Sequence, residues 1–257
     1  MIGLAAGNAS AQLGVGIAPA RIEALVPPGG RTMETLTFSN TSAVPLGVSV
    51  EVVDFDASPT NDVIEQPSGT GGSSLAPYLR VSPLEAEVAP GQQVVFRCAL
   101  RAPAEFTQLR AMIYFVAHPR LAKGGAAEVV IVPRLGIPAY LENLKARPGT
   151  LDVHSVTAKR TGANGDQLEL DLDVTNVGER NIRPTGYLRV RAVDGSFDKA
   201  FPFNPGSEPV LPAHRRAWKA TFGPVPGGGL SLRLRFATSP STSHESELTI
   251  PPVSSSR

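Results

Sequence analysis

The sequence predicts an all-β protein made of two sandwich domains in tandem. Three observations carry that prediction. Short apolar runs of strand length recur along the chain, separated by turn-formers, with 25 Gly and 24 Pro among 257 residues. Apolar residues still make up 42%, so the breaks punctuate a packed chain and not a disordered one. One order of elements occurs twice: an alternating strand, a turn led by Asn, a second strand, then a strand entered through Pro. The length suffices for two ordinary domains, each with its own core.

Residues 1–11, MIGLAAGNASA, are small and weakly apolar and end in the A-x-A pattern of Ala9, Ser10 and Ala11. Such a pattern closes a secretory leader, although the basic start is missing. Export is therefore the expectation. Cys98 is the single cysteine, so no internal disulfide forms and stability must come from the cores.

The first domain is expected over 12–143. Its strand 36–40, LTFSN, runs into a turn at Asn40 and is followed by 46–53, LGVSVEVV. Residues 57–76, rich in Ser, Gly and Pro, read as a long exposed loop. Ala89, Pro90 and Gly91 then open the strand 93–100, a placement where Pro costs no ladder bond. Two runs close the domain, 110–118, RAMIYFVAH, and 128–140, EVVIVPRLGIPAY. Both are apolar on two faces. Met112, Tyr114 and Val116 oppose Ala111, Ile113, Phe115 and Ala117; Val130 and Val132 oppose Val129 and Ile131. A sandwich strand needs one apolar face, so the second calls for a cover.

A short polar linker at 144–149 leads to the second domain, 150–251, with a tail at 252–257. There 170–178, LDLDVTNVG, turns at Asn176 into 186–193, GYLRVRAV, and Leu211, Pro212 and Ala213 open 216–222. Asn suits both corners because its side chain bonds nearby backbone and tolerates left-handed geometry. Asn164-Gly165 and Asp194-Gly195 sit between alternating runs as hairpin turns. With about seven strands per unit, the fold class is two immunoglobulin-like β-sandwich domains in tandem.

Catalytic chemistry is not expected. His118, His154, His214 and His244 are scattered without metal-ligand spacing. Cys98 shares a face with Phe96 and Leu100 and reads as a small buried hydrophobe. Glu169, Asp171 and Asp173 alternate with Leu168, Leu170 and Leu172, which makes them the wet face of one strand. The run 69–74, GTGGSS, lacks the Lys of a phosphate cradle. Asn40-Thr41-Ser42 spells a glycosylation sequon, but its turn role explains the Asn. No metal, cofactor or small-molecule substrate is implied. A net charge of +1 gives no general pull toward nucleic acid, and no apolar run is long enough for a membrane-spanning helix.

The first domain resembles the N-terminal domain of periplasmic pilus-assembly chaperones of the chaperone-usher pathway. The resemblance rests on 17–22, IAPARI; on LTFSN; and on 79–83, LRVSP, followed by 88–93, VAPGQQ, leading into Phe96 and Arg97. It spans roughly 15–141, whereas the second domain matches only as an immunoglobulin-like sandwich. It implies an exported, non-enzymatic chaperone of the periplasm or cell envelope. Its partners would be pilin-like or surface structural subunits and an outer-membrane usher. Such a chaperone lends its last first-domain strand to an incomplete subunit: backbone bonds hold the guest and alternate apolar side chains fill its groove. The donors would be Val130 and Val132 or Val129 and Ile131, and the residues leave open which pair faces out. The same two-sided apolarity also arises if the second face packs inside the molecule. The family further grips the subunit's terminal carboxylate with a basic pair; Arg21 falls on the matching first strand and Arg134 is the nearest candidate on the last. Pro133 and Pro138 are expected to interrupt that strand. The alternative is an envelope or cell-surface scaffold or adhesion protein that lends no strand.

Overall fold

The computed structural model describes residues 14–120 and 131–253; the leader expected over 1–11 lies outside them. The first ten strands are β1 Val15–Ala18, β2 Ile22–Val26, β3 Arg31–Asn40, β4 Leu46–Ala57, β5 Val63–Gln66, β6 Leu79–Ser82, β7 Glu85–Val88, β8 Gln93–Arg101, β9 Gln108–Pro119 and β10 Arg134–Asn143. Seven more follow: β11 Leu151–Thr161, β12 Gln167–Asn176, β13 Gly186–Ala192, β14 Asp198–Phe203, β15 Arg215–Phe222, β16 Leu230–Ala237 and β17 Ser243–Ile250. No α-helix occurs among the described residues, and none of their helices could cross a membrane. Contacts divide the chain into two compact units: residues through Phe55 with Glu65–Leu144, and Asp56–Ile64 with the residues from Lys145 onward.

In the first unit one sheet runs β1-β3-β8-β6 and the other β2-β10-β9-β4-β5, with β7 also paired to β4. Alternation on β3 and β8 buries one side of their sheet, whereas β9 is buried on both sides over its first half. Leu36 and Phe38 on β3, Phe96, Cys98 and Leu100 on β8, and Ile113 and Phe115 on β9 meet in one core. Phe115 is its hub, with ring centroids 4.9 Å from Phe96 and 6.1 Å from Phe38. Burial around Cys98 pushes its thiol up to about 11, in keeping with its reading as a small apolar filler.

The stretch 57–76, expected as loop throughout, contains β5. Its remainder is fastened by a buried carboxylate on β4. Asp54 accepts bonds from the Gly69, Leu75 and Ala76 amides at 2.6, 3.1 and 3.1 Å and from the Ser74 hydroxyl at 2.5 Å. A long connection in a compact domain needs some such tie.

The second unit packs the sheet β11-β12-β15 on β14-β13-β16-β17. Leu168, Leu170 and Leu172 point into its core, where Phe203 lies against Trp218 and Phe236. The intervening acids face away from that core but are largely covered, Glu169 by Lys159 and Asp173 by Arg215, at 18% and 19% exposed. Both expected hairpins are present, with Gly165 and Gly195 at φ of 63° and 77°.

The repeated Asn corners match bond for bond. The Asn40 amide side chain donates to the Val44 and Val88 carbonyls at 2.8 and 2.9 Å. That of Asn176 donates to Arg180 and Val210 at the same distances. Each Asn also receives a backbone bond from the left-handed residue after the Pro, Gly91 or Ala213. Each corner thereby ties the end of one strand to the entry of its neighbour. Asn40 is fully buried, which removes it as a glycosylation acceptor.

Candidate functional site

The N-terminal chain serves both sheets of the first unit. β1 pairs with β3 from Val15↔Asn40 to Ala18↔Thr37. The chain then turns at Pro19, which follows a cis peptide bond. It continues as β2, parallel to β10 from Ile22↔Ala139 to Val26↔Asn143. Only the C-terminal half of β10 is thus covered on that side. From Arg134 to Ile137 the strand pairs with β9 alone among the described residues.

The ladder decides which groups face the empty side. The Ala117 amide bonds the Pro133 carbonyl and the Asn143 amide the Thr107 carbonyl, so odd-numbered residues turn their polar groups to β9. The Leu144 amide bonds the Val26 carbonyl, so even-numbered residues face β2 or the open edge. The open edge therefore offers the amides and carbonyls of Arg134 and Gly136, whereas the Pro138 carbonyl already stands where the Ile22 amide meets it in the parallel ladder.

Pro138, expected to break the strand, sits inside it opposite Met112. Its missing N–H would point away from β9, so no ladder bond is lost. Pro133 does end the pairing. It stands in the odd series, where it accepts from Ala117 but has no amide to return.

Side chains obey the opposite division. Leu135, Ile137, Ala139 and Leu141 turn to the core, and burial rises along them, from half-buried Leu135 to fully buried Leu141. Continued backward, this parity includes Ile131, which is 67% exposed. Leu135 and Ile137 are thus apolar at the open end of β10, and exposed Ile131 precedes them in the chain.

The outward side of the two closing strands is covered by the unit's own residues. The Arg134 guanidinium lies 3.3 Å from the Tyr114 ring centroid. Arg134 also reaches Glu65 at 2.7 Å and Glu51 at 3.3 Å, and the Tyr114 hydroxyl donates to Glu65 at 2.6 Å. The hydrogen bonds from Arg134 and then Tyr114 hold the Glu65 carboxyl below its usual range. Gly136 makes room for this arrangement, because a Cβ there would stand 2.7 Å from the Tyr114 ring and 3.0 Å from the Met112 sulfur. Farther along, Tyr140 packs edge-on against Phe55 at 5.9 Å. The two-sided apolarity of β9 is therefore met largely from within.

The expected site residues separate accordingly. Val129 and Val130 lie outside the described residues. Ile131 and Val132 are exposed and precede the strand, which was expected to begin at 128 and begins at Arg134. Arg21 lies just before β2 and pairs with Glu23 at 3.1 Å. One step beyond Ile22↔Ala139, it falls beside Pro138, about 13 Å along the strand from Arg134. The two arginines are thus separated along the sheet, and Arg134 already holds two carboxylates. The sequence reading missed Leu135 and Ile137, although the alternation Ile131, Pro133, Leu135, Ile137 was there to find them. No cluster of His, Cys, Asp or Glu suited to a metal occurs among the described residues.

No family model matches the chain, and no curated protein matches it. Solved structures of periplasmic pilus chaperones match over most of its length. The Salmonella enterica SafA pilin in complex with the SafB chaperone matches at 19% identity and TM-score 0.48, over 93% of this chain and 99% of that one. The E. coli chaperone DraB matches at 18% and 0.45, over 92% and 97%. The CsuC-CsuE chaperone–tip subunit complex of Acinetobacter baumannii matches at 11% and 0.46, over 93% and 98%. With TM-scores below 0.5, none of these likenesses decides what this chain does.

Proposed function

We propose that this protein is an exported, non-enzymatic chaperone that binds pilin-like or other surface structural subunits by lending them the open half of β10. One observation carries the reading. The edge at Arg134 and Gly136 is unpaired among the described residues, while the core-side residues at the same end are apolar. A guest lacking one strand would bond the free amides and carbonyls, and Ile131 and Leu135 would enter its exposed core. The work is done in the periplasm or cell envelope, with an outer-membrane usher as second partner. Binding of this kind consumes no cofactor and transforms no substrate.

The test uses a pilin-like subunit from which its own complementing strand has been deleted, mixed with this protein and resolved by size-exclusion chromatography. A stable complex is expected. Ile131→Asp and Leu135→Asp should each abolish it while leaving the thermal melt of the free protein within a few degrees of wild type. Complexes of equal stability with both variants would overturn strand lending. A chaperone is released once its subunit is built in, whereas a permanent scaffold stays with the finished structure.

A further inference from the structure

The outward face of the sheet β1-β3-β8-β6 carries a group of cations that the proposed strand lending does not use. Arg31 on β3 stands directly opposite Arg101 on β8. In the next outward row Met33, Ala99 and Arg80 lie side by side, and in the third Thr35, Arg97 and Ser82. Rows on one face repeat about every 7 Å and strands about every 5 Å. Four guanidinium groups thus share one small area, and no acid occupies any position of the three rows. Glu34 lies between them in sequence but has the inward parity, opposite buried Cys98.

None of the four makes an ion pair among the described residues, and Arg80 donates only to the Pro77 and Leu79 carbonyls. Like charges directly opposite on a sheet destabilise it. Elsewhere the protein neutralises such positions: Arg189 and Arg191 both grip Asp198, and Arg233 grips Glu245 and Glu247. The first two rows, with Tyr78, line a groove of about 990 Å³. Met33, 58% exposed, adds apolar surface at its floor.

We infer that this groove is a docking site for an acidic protein segment in extended conformation. A strand bearing Asp or Glu at alternate positions presents carboxylates about 7 Å apart, the spacing of the arginine rows. Each guanidinium can take a carboxylate through two bonds, and occupation would relieve the repulsion between Arg31 and Arg101. The site lies on the other sheet from the open edge of β10, and its occupant would be a partner distinct from the lent-strand guest.

The test is fluorescence anisotropy of the full chain with a labelled peptide of alternating Glu and Thr, about eight residues long, beside its Gln counterpart. The Glu peptide should bind, more weakly as salt is raised, and the Gln peptide should not. Arg31→Ser combined with Arg101→Ser should weaken binding at least about tenfold and leave the melting temperature unchanged or higher. Leu135→Asp should bind the peptide as wild type does, whatever it does to subunit capture. No binding of the Glu peptide by wild type would overturn the site, as would equal binding by the double variant. Tighter association with phosphatidylglycerol vesicles or inorganic phosphate than with the peptide would overturn it too.

Discussion

Arg134 lies over the Tyr114 ring with 3.3 Å between guanidinium carbon and ring centroid, and both side chains share Glu65. The outward side of β9 at this point is closed by a cation, a ring and a carboxylate. Arg134→Ala should therefore lower stability by about 1 kcal/mol, the scale of an exposed cation–π contact with a solvent-screened ion pair. Glu65 titrates below its ordinary 4.5 in the folded state, so the contribution is complete above that value and is lost as pH falls through the lowered one. The difference in melting temperature between wild type and variant should shrink from about pH 6 to about pH 3. A difference independent of pH would remove Glu65 from the account.

Gly136→Val should displace the Tyr114 ring, since the new Cβ would come within 2.7 Å of it. Overpacking of this kind costs about 1–3 kcal/mol. Chemical denaturation would register it. A variant as stable as wild type would show that the ring swings aside freely.

Asn40→Ala and Asn176→Ala should destabilise their units by similar amounts, about 2–3 kcal/mol each, because each strands two carbonyls that the amide had satisfied. Unequal losses in denaturant titrations would mean that the matching bonds do unequal work.

Cys98 should resist alkylation at about pH 8 in the native protein and react at once in denaturant, because it is fully buried and its thiol is pushed up to about 11. Rapid native labelling would contradict the packing around β8.

Much of this fold is legible in the sequence because alternation reports directly on which side chains a sheet buries. Leu168, Leu170 and Leu172 against Glu169, Asp171 and Asp173 is such a case. The Asn corners are legible too, since a buried amide tying two strands needs that residue at the strand's end, whatever the length of chain before the Pro-led entry. The open edge is harder to read. Ladder parity, not residue type, decides that Pro138 is harmless and Pro133 is not. Likewise, the uncovered half of β10 follows from where β1 leaves its sheet, which no local pattern records. Arg134 looks like a free anchor until Glu51 and Glu65, distant in sequence, are placed beside it.

Pro138 has a further effect at the rim. With its nitrogen blocked, the vacant side presents only two hydrogen donors, both near the start of the strand. A visiting ribbon shifted by one repeat would forfeit half of them, so alignment is set by the backbone before any side chain is compared. The molecule would then measure where its guest begins as well as what it is made of.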